Sequence, residues 1–453
     1  GWERKRGKLD EFNRLLRGAT DTSYAVGSGD AAALRVRFVL TLDADTVLPR
    51  DAARRLIGTL AHPLNRPVLS ADGRRVVAGY GVVQPRVSFL YQTGLRSRFA
   101  RTFAGSAGVD PYSAAASDVY QDLFGAGTFT GKGLYDVDAF HATAGQAFPE
   151  NAILSHDLIE SNFARCGLAT DVEVYDEFPA KYHAYARREH RWVRGDWQLL
   201  PWLGRTVPTP GGRRPNVVPL VGRWKVFDNL RRSLGPVGLL ALLVAGWLVL
   251  PGPAWVWSAA GLAALAVPLA VLAADAGWSV ACGHDPRAAA RGAVRPLTAT
   301  GGQVALTAAF LANQAAIVAD AVVRTLYRLA VSRRHLLEWE TAAAADARLA
   351  GRLGSFVRSM WPALVIAAAG AALVAAANPA ALPAAAPWLV AWALSPVVAW
   401  AVSRPVGAVE SPLTDADRRE LRRVARKTWR FFEDFTGYAD HLLPPDNYQE
   451  DPK

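Results

Sequence analysis

Two long runs of the chain carry no charged side chain, and they divide it more clearly than any other pattern. The first extends from Ser233 to Ala274 and the second from Ser359 to Ser403, which makes 42 and 45 residues without Asp, Glu, Lys or Arg. Each is about twice the roughly 20 residues that one membrane-spanning helix needs. Helix breakers interrupt both runs midway, at Pro251–Gly252–Pro253 and from Asn378 to Pro383. The pattern predicts two helical hairpins, hence transmembrane helices at about 235–250, 254–274, 359–378 and 384–403.

The distribution of arginine predicts the orientation of these helices. Both hairpin turns are uncharged, whereas arginines such as Arg231, Arg295 and Arg358 flank the outer ends of the runs. Because cytoplasmic loops carry the excess of Lys and Arg, both termini and the central segment are expected on the cytoplasmic side. The alternative is a soluble protein with two very apolar core hairpins, and uncharged runs of this length disfavour it.

A further uncharged segment, 296–319, lies between the two hairpins. It contains Asn313, which at helical spacing shares one stripe with Asp320 and Arg324. If this segment crossed the membrane, the arginines that follow it would lie outside, against the charge rule. We therefore predict an amphipathic helix in the cytoplasmic interface, and a similar one at 223–234.

The first 220 residues have the pattern of an α/β domain. A β-rich run, Leu34–Leu42, ends in Asp43-Ala44-Asp45, and a helix is expected from Pro49 onwards. Further elements are predicted as strands at 79–87 and 171–175 and a helix at 157–166. Open α/β sheets bind ligands at the carboxyl ends of their strands, so acidic residues at that edge are candidate site residues. The chain is thus expected to divide into an α/β domain at 1–220, a membrane region at 221–410 and a terminal segment at 411–453.

The charge balance adds an anionic partner to this picture. Lys and Arg number 51 against 40 Asp and Glu, a net charge of +11, which suits nucleic acid, lipid headgroups or a phosphorylated substrate. The two cysteines, Cys166 and Cys282, have no local pairing pattern, so neither a disulfide framework nor a cysteine metal site is expected. The chain opens at Gly1 without a signal sequence, and we expect it to be cut from a longer polypeptide.

Four elements of the α/β domain carry candidate chemistry. Asp43 and Asp45, spaced i and i+2, suit a hard divalent cation that would hold a diphosphate, although a turn-forming pair is the alternative. The glycine-rich run 125–133 supplies Lys132 and allows close approach of the backbone to a ligand. It lacks the Gly-Lys-Ser/Thr ending of a phosphate-binding loop, so nucleotide hydrolysis is disfavoured.

The third and fourth elements follow further along the chain. Asp157 stands beside His156 at a predicted helix start, where it is either a catalytic carboxylate or a helix N-cap. The run 187–198 alternates arginines with Trp192 and Trp197 just before the membrane region. That composition is also typical of a juxtamembrane basic-aromatic anchor.

Taken in order, these elements resemble the membrane-bound, processive family of inverting glycosyltransferases with the GT-A fold. In that family an Asp-x-Asp binds the metal of a nucleotide-sugar, a later acidic dipeptide supplies the base, and Gln-x-x-Arg-Trp lies on an interfacial helix. This chain has Arg188 in place of that Gln, followed by Arg191-Trp192, and His156 in place of the more usual Glu. The segments 1–18, 42–46 and 190–198 resemble the glycosyltransferase region of cyclic β-1,2-glucan synthases. The segments 428–432 and 443–452 resemble the entry to the glucoamylase-like domain of those synthases, after an amphipathic helix and linker.

The resemblance implies an α/β GT-A-like cytoplasmic domain followed by an α-helical transmembrane region, in the inner membrane of a bacterium. It implies processive transfer of glucose from UDP-glucose to a growing β-1,2-glucan, in which the glucose 2-hydroxyl attacks C1 and inverts it. The partners would be UDP-glucose, the glucan chain, the lipid bilayer and further domains of the same polypeptide, with no nucleic acid. The family's first strand and uridine pocket normally precede the segment that aligns with Gly1.

The resemblance also implies roles for individual residues. Asp157 would be the general base, and Mg²⁺ or Mn²⁺ would bind Asp45 and Asp43. The diphosphate and donor sugar would be held by four cationic residues, namely Arg188, Arg191, Arg194 and Lys132. The acceptor would be held by Trp192, Thr130, His156, Trp197 and Gln198. Another membrane β-glucan synthase and a non-catalytic membrane scaffold with a degenerate transferase domain are the alternatives, because pocket shape rather than motif spacing determines linkage.

Overall fold

The computed structural model describes residues 3–24, 35–104, 118–145, 147–338, 351–407, 413–438 and 441–445. The chain forms two compact units, Gly1–Val406 and Gly407–Lys453. The first unit contains both the sheet and the apolar helices. The second contains one long helix.

The sheet of the first unit is mixed. The strands of the described residues are β1 (Phe38–Thr41), β2 (Val68–Leu69), β3 (Val76–Ala78), β4 (Val82–Phe89), β5 (Gly133–Asp136), β6 (Cys166–Asp176), β7 (Thr206–Thr209) and β8 (Gly212–Pro215). Four of these form the main sheet in the order β1-β5-β4-β6, and β2/β3 and β7/β8 form separate two-stranded pairs. Strand β5 runs antiparallel to both of its neighbours, whereas β4 and β6 are parallel. Strands β1, β4 and β6 therefore point the same way, and β5 begins at the edge where they end.

Helices cover both faces of this sheet. Those of the α/β part are α1 (Arg4–Leu15), α2 (Ala52–Ala61), α3 (Tyr91–Gly94), α4 (Arg98–Phe103), α5 (Val119–Phe124), α6 (Val137–Ala144), α7 (Asp157–Ala164), α8 (Tyr182–Gln198) and α9 (Leu220–Ser233). Side chains alternate between the two faces of a strand. Accordingly, Val83 packs with Leu56 and Leu60 of α2, whereas Val82 packs with Phe140 and Phe163 on the other face.

Most of the predicted elements of this domain are confirmed. Strand β1 occupies the second half of the predicted Leu34–Leu42 run, whose first residue lies outside the described residues. The strands at 79–87 and 171–175 correspond to β4 and β6, and the helix from Asp157 corresponds to α7. Strand β5 was not anticipated. It lies at the end of the glycine-rich run, and all of its residues are buried.

The apolar part consists of long helices. They are α10 (Gly235–Leu248), α11 (Ala254–Ala281), α12 (Pro286–Tyr327), α13 (Leu353–Ser359), α14 (Trp361–Ala377) and α15 (Leu382–Val402). By length and apolar composition, three segments of the described residues could cross a membrane, namely Ala254–Ala281, Pro286–Ser332 and Pro379–Val402. Helices α13 and α14 would make a fourth, bent by 64°. Helix α10 has only 14 residues, because Pro251–Gly252–Pro253 follows it closely.

Helix α12 contacts both parts of the first unit. On one face Phe310 lies 4.1 Å from the ring of Tyr182 on α8, and the Asn313 side-chain amide donates to the Tyr182 hydroxyl at 3.0 Å. Leu311, on the adjacent face, packs in one cluster with Leu243 and Trp247 of α10. The helix thus lies between the α/β domain and the apolar helices, and it continues through Pro296 without a break.

The second unit contains α16 (Asp415–Phe435), which has no buried residue. Its first turn is closed by a capping box, in which Thr414 and Asp417 exchange hydrogen bonds. The predicted segment 411–453 extends beyond this helix, and its last eight residues lie outside the described residues.

Candidate active site

A lysine between two carboxylates forms the centre of the candidate site. The Lys132 ammonium lies 2.9 Å from Asp43 and 2.9 Å from Asp176. Asp43 follows β1, Asp176 ends β6, and Lys132 immediately precedes β5. These positions meet because β5 runs opposite to the other strands, so that its start lies at their carboxyl ends. Lys5 of α1 adds a second cation, 2.6 Å from Asp43 and donating to the Gly131 carbonyl at 2.8 Å.

The two residues of the Asp-x-Asp pair have different electrostatic environments. Burial raises the pKa of Asp43, but Lys132 and Lys5 outweigh it, and the net shift is downward. The pKa of Asp45 is raised, first by burial and then by the negative charges of Asp176 and Asp43. Asp43 is therefore already neutralised by protein cations, whereas Asp45 remains in an excess of negative charge.

Asp157 lies next to this cluster at the start of α7. Burial raises its pKa, and Lys5 and Asp43 are close enough to shift it further in opposite directions. A methyl group at Gly131 would lie 2.8 Å from the Asp157 carboxylate, and Gly131 has φ +81°, so glycine allows this close approach. The N-cap alternative does not hold, because His156 occupies the cap position and its side chain forms no cap hydrogen bond.

His156 is buried beside Asp157 and pairs with a third residue of the same helix. Its Nδ1 lies 2.8 Å from Glu160 Oε2 and 3.5 Å from Asp157 Oδ1. Burial lowers the pKa of His156, but Glu160 and Asp157 outweigh it, and the net shift is upward. The ligand atoms of these three residues lie within 4.8 Å of one another, so they form a possible metal-binding group among the described residues.

Helix α8 forms the opposite wall of the site. Burial lowers the pKa of Arg191, whereas Asp43, Asp45 and Asp157 raise it, and the net shift is downward. The guanidinium is thus within electrostatic range of all three carboxylates.

Arg188, one turn earlier on α8, is enclosed by aromatic rings. It lies 4.7 Å from the ring of Trp192, 5.4 Å from that of Phe178 and 5.8 Å from that of Tyr185. Trp192 is 37% exposed, so its ring has a face available to a ligand.

Four further predicted site residues have other contacts. Arg194 donates to the carbonyls of Glu338 at 3.1 Å and Leu336 at 3.3 Å. Gln198 accepts from the backbone of Leu154 and donates to Leu336, and Trp197 donates to Ser233 at 2.9 Å. These contacts hold α8 against its neighbouring segments, and the roles of Arg194 at the diphosphate and of Trp197 and Gln198 at the acceptor stay predictions. Thr130 borders Gly131 and donates to Gln84.

Sequence reasoning missed Lys5, Asp176 and Glu160. Each had a signal. Lys5 lies in the basic opening run, Asp176 directly follows a predicted strand, and Glu160 lies four residues after His156 on a predicted helix. The partners of Lys5 and Asp176 could not be found from the sequence, because those contacts connect distant elements, whereas the His156–Glu160 pair is local to one helix.

A second close approach fixes α8 against the loop before Asp157. A methyl group at Gly195 would lie 2.1 Å from the Ser155 hydroxyl oxygen and 2.6 Å from its Cβ. Only glycine allows α8 to pack this closely here. Gly195 thus sets the distance between Arg191 and Asp157, which lie on the two contacting segments.

The geometry can be compared with known proteins. Residues 38–274 match the family model described as glycosyl transferase family group 2. The chain belongs to that family. The similarity covers the sheet, the acidic cluster and α8, so the site above is that of a glycosyltransferase with a GT-A-like fold, followed by long apolar helices that could span a membrane.

The transferase is also similar to a much longer curated protein. It is 44% identical over 463 aligned residues to the cyclic β-(1,2)-glucan synthase NdvB of Rhizobium meliloti strain 1021. The alignment covers 100% of this chain and 16% of that protein. The resemblance to cyclic β-1,2-glucan synthases is thereby confirmed.

Two groups of residues in the transferase could hold a divalent cation. Asp45 lies in an excess of negative charge with Asp176 and Asp43 nearby, and carboxylate oxygens suit a hard cation such as Mg²⁺ or Mn²⁺. In the second group, His156 Nδ1 and Glu160 Oε2 lie 2.8 Å apart, and neither atom has a hydrogen-bond partner among the described residues, so both are available as ligands. The geometry therefore offers two candidate cation sites, the strand-end pair and the group on α7.

We expect Gly195→Ala to lower transferase turnover by about 10²-fold with the fold retained, because the new methyl group would push α8 away from Ser155. Turnover is measured as nucleotide release from the sugar donor. Gly58→Ala on α2, where nothing lies within 4 Å, is the matched control and should be neutral. Combining Ser155→Gly with Gly195→Ala should restore much of the lost turnover. Normal turnover by Gly195→Ala would contradict the close approach.

Proposed function

We propose that this transferase moves glucose processively from UDP-glucose to a growing β-1,2-glucan, with inversion, at the cytoplasmic face of a bacterial inner membrane. The observation that carries the proposal is the convergence of Asp43, Asp45 and Asp157 with Arg191 at one edge of the sheet. The similarity to the cyclic β-(1,2)-glucan synthase of Rhizobium supports glucose and the β-1,2 linkage.

Asp157 is proposed as the general base. Its carboxylate would take the proton of the acceptor 2-hydroxyl as that oxygen attacks C1 of the donor glucose. Gly131 leaves room beside this carboxylate, and His156, held by Glu160, fixes its orientation. Attack opposite to the departing UDP converts the α donor into a β linkage.

Cationic side chains would hold the donor diphosphate. Arg191 lies within electrostatic range of all three carboxylates, and a guanidinium matches the geometry of phosphate oxygens. Lys5 and Lys132, now paired with Asp43, could exchange part of that contact for the diphosphate. A divalent cation on Asp45 and Asp43 would neutralise charge on the leaving group.

Trp192 is the proposed platform for the acceptor sugar. One face of its ring rests on Arg188, which is itself fixed by Phe178 and Tyr185. Thr130, beside Lys132 and Gly131, would contact the acceptor sugar.

The position of α12 supports a site at the membrane surface. The helix packs against α8 through Asn313 and against the apolar helices through Leu311. His190 of α8 also contacts Asp320 of α12 at 2.8 Å. A helix in the membrane interface could contact both the α/β domain and the apolar helices, as α12 does. The arginines that follow α12 would then stay in the cytoplasm.

Incubation of membranes containing the full-length protein with labelled UDP-glucose and Mn²⁺ or Mg²⁺ should give a β-1,2-linked product, identified by linkage analysis. Asp45→Ala should abolish the product while leaving the protein folded, because it removes the carboxylate best placed for the cation. A β-1,3 or β-1,4 product would favour another glucan synthase. No turnover by the unaltered protein would favour a scaffold with a degenerate transferase domain.

Glu160→Gln distinguishes the two possible cation sites. If the cation binds Asp45 and Asp43, Glu160→Gln should leave the Mn²⁺ concentration for half-maximal turnover within a few-fold, because Glu160 only holds His156. An increase of about 10-fold or more in that concentration would instead assign the metal to the group on α7.

Asp157→Asn should lower turnover by about 10²–10⁴-fold and leave UDP-glucose affinity within a few-fold, because a base acts mainly on the transition state. Arg191→Ala should instead weaken donor binding, since it removes a charge-assisted contact. Turnover and affinity are measured separately by single-turnover kinetics and calorimetry. Near-normal turnover by Asp157→Asn would exclude it as the base.

Reporter tags should give a fixed topology if the helices are oriented as proposed. Tags at Gly252 and Ala381, in the two uncharged turns, are expected outside the membrane. Tags at Arg295 and Arg334, on either side of the uncharged segment 296–319, are expected inside. An external tag at Arg334 would show that α12 crosses the bilayer.

A further inference from the structure

Helix α16 presents two different faces along its length. Its apolar residues recur every three or four positions and form one stripe, made of Leu421, Val424, Ala425, Thr428, Phe431, Phe432 and Phe435. The remaining surface carries cations. Leu421 is 54% exposed and Phe432 41% exposed, and no residue of α16 is buried.

The charges of α16 are sorted along the helix as well as around it. Between positions 418 and 430 there are seven Lys and Arg residues and one acidic residue, Glu420. The other acidic residues lie in the first and last turns. Arg426 pairs with Glu433 at 2.8 Å and Arg430 with Asp434 at 3.1 Å, and exposed pairs of this kind are weak enough to exchange for another anion.

The chain itself keeps α16 near a membrane. Segment Pro379–Val402, one of the candidate membrane spans, ends twelve residues before α16 begins at Asp415. Twelve extended residues reach about 40 Å at most. The start of α16 therefore cannot lie further than that from the surface where the span ends.

We propose that α16 lies in the membrane interface, with its apolar stripe in the acyl region and its cationic face against anionic lipid headgroups. A basic amphipathic helix with Trp and Phe on or beside the apolar face is the composition that binds such surfaces. Trp429 flanks the stripe, where an indole suits the boundary between headgroups and acyl chains. This role is independent of the transferase chemistry.

A second copy of the helix fits these observations less well. The stripe is only two heptads long, and its middle positions, Ala425 and Thr428, are poor knobs for a helical pair. A second helix packed on the stripe would also leave the cationic face uncovered, whereas an anionic lipid surface contacts the stripe and the cations that flank it together.

Photo-cross-linking in nanodiscs tests the proposal with the intact protein. The photoreactive residue p-benzoylphenylalanine replaces Phe432 on the stripe or, as matched control, Arg419 on the opposite side of the helix. In discs of POPC with 30% POPG, lipid adducts at position 432 should exceed those at 419 by about fivefold or more, measured by mass spectrometry. The lipid adducts at position 432 should fall by about threefold or more in pure POPC or in 1 M NaCl, because the attraction to anionic headgroups is then lost or screened.

The combined variant Arg422→Gln, Arg423→Gln and Arg426→Gln should lower the adducts at 432 to the same extent, with UDP-glucose turnover as a separate readout of intact folding. Adducts at 432 to the same chain or to a second copy would overturn the proposal in favour of a protein partner. Equal lipid adducts at 432 and 419, or adducts independent of POPG, would overturn it as well.

Discussion

The contact of Lys132 with Asp43 and Asp176 is the constraint on which the site depends. The two carboxylates end β1 and β6, the outer strands of the sheet, and a cation at the start of β5 joins them. This is possible only because β5 is antiparallel to its neighbours. Without the ammonium, the acids gathered at this edge would repel one another. The protein offsets its four acids, Asp43, Asp45, Asp157 and Asp176, with four cations from three separate elements, namely Lys5, Lys132, Arg188 and Arg191.

Helix α8 connects the acidic cluster to the apolar part of the protein. One side carries Arg188 and Arg191 to the acids, and Gly195 docks it closely against the loop that precedes α7. Elsewhere on the same helix, Tyr182 and His190 contact α12. Helix α8 therefore connects the acidic cluster directly to α12. This connection gives a physical reason for a glycosyltransferase domain to be built directly onto apolar helices.

The sequence was most informative where the signal was local. Strand β1 with its Asp-x-Asp, helix α7 and the apolar helices all follow from short-range periodicity or from uncharged runs. Strand β5 could not be found this way, because it has four residues within a glycine-rich run and its pairing is with distant strands. The role of Trp197 at the acceptor stays a prediction. Trp197 lies nine residues, or two and a half helical turns, after Arg188, so the two side chains point in opposite directions, and the Trp197 indole donates to Ser233.

At each of the two positions where this chain departs from the family pattern, nearby acidic residues offset the positive charge of the substituted residue. His156, where Glu is more usual, would add positive charge next to Asp157, but the buried Glu160 pairs with it at 2.8 Å and supplies the missing acid from the same helix. Arg188, where Gln is more usual, would add charge to the donor side, but Asp176 and Asp45 act on it and aromatic rings enclose it. In both cases nearby acids offset the positive charge that the substituted residue adds. Each departure from the family motif is therefore matched by acids of this chain that lie close to it.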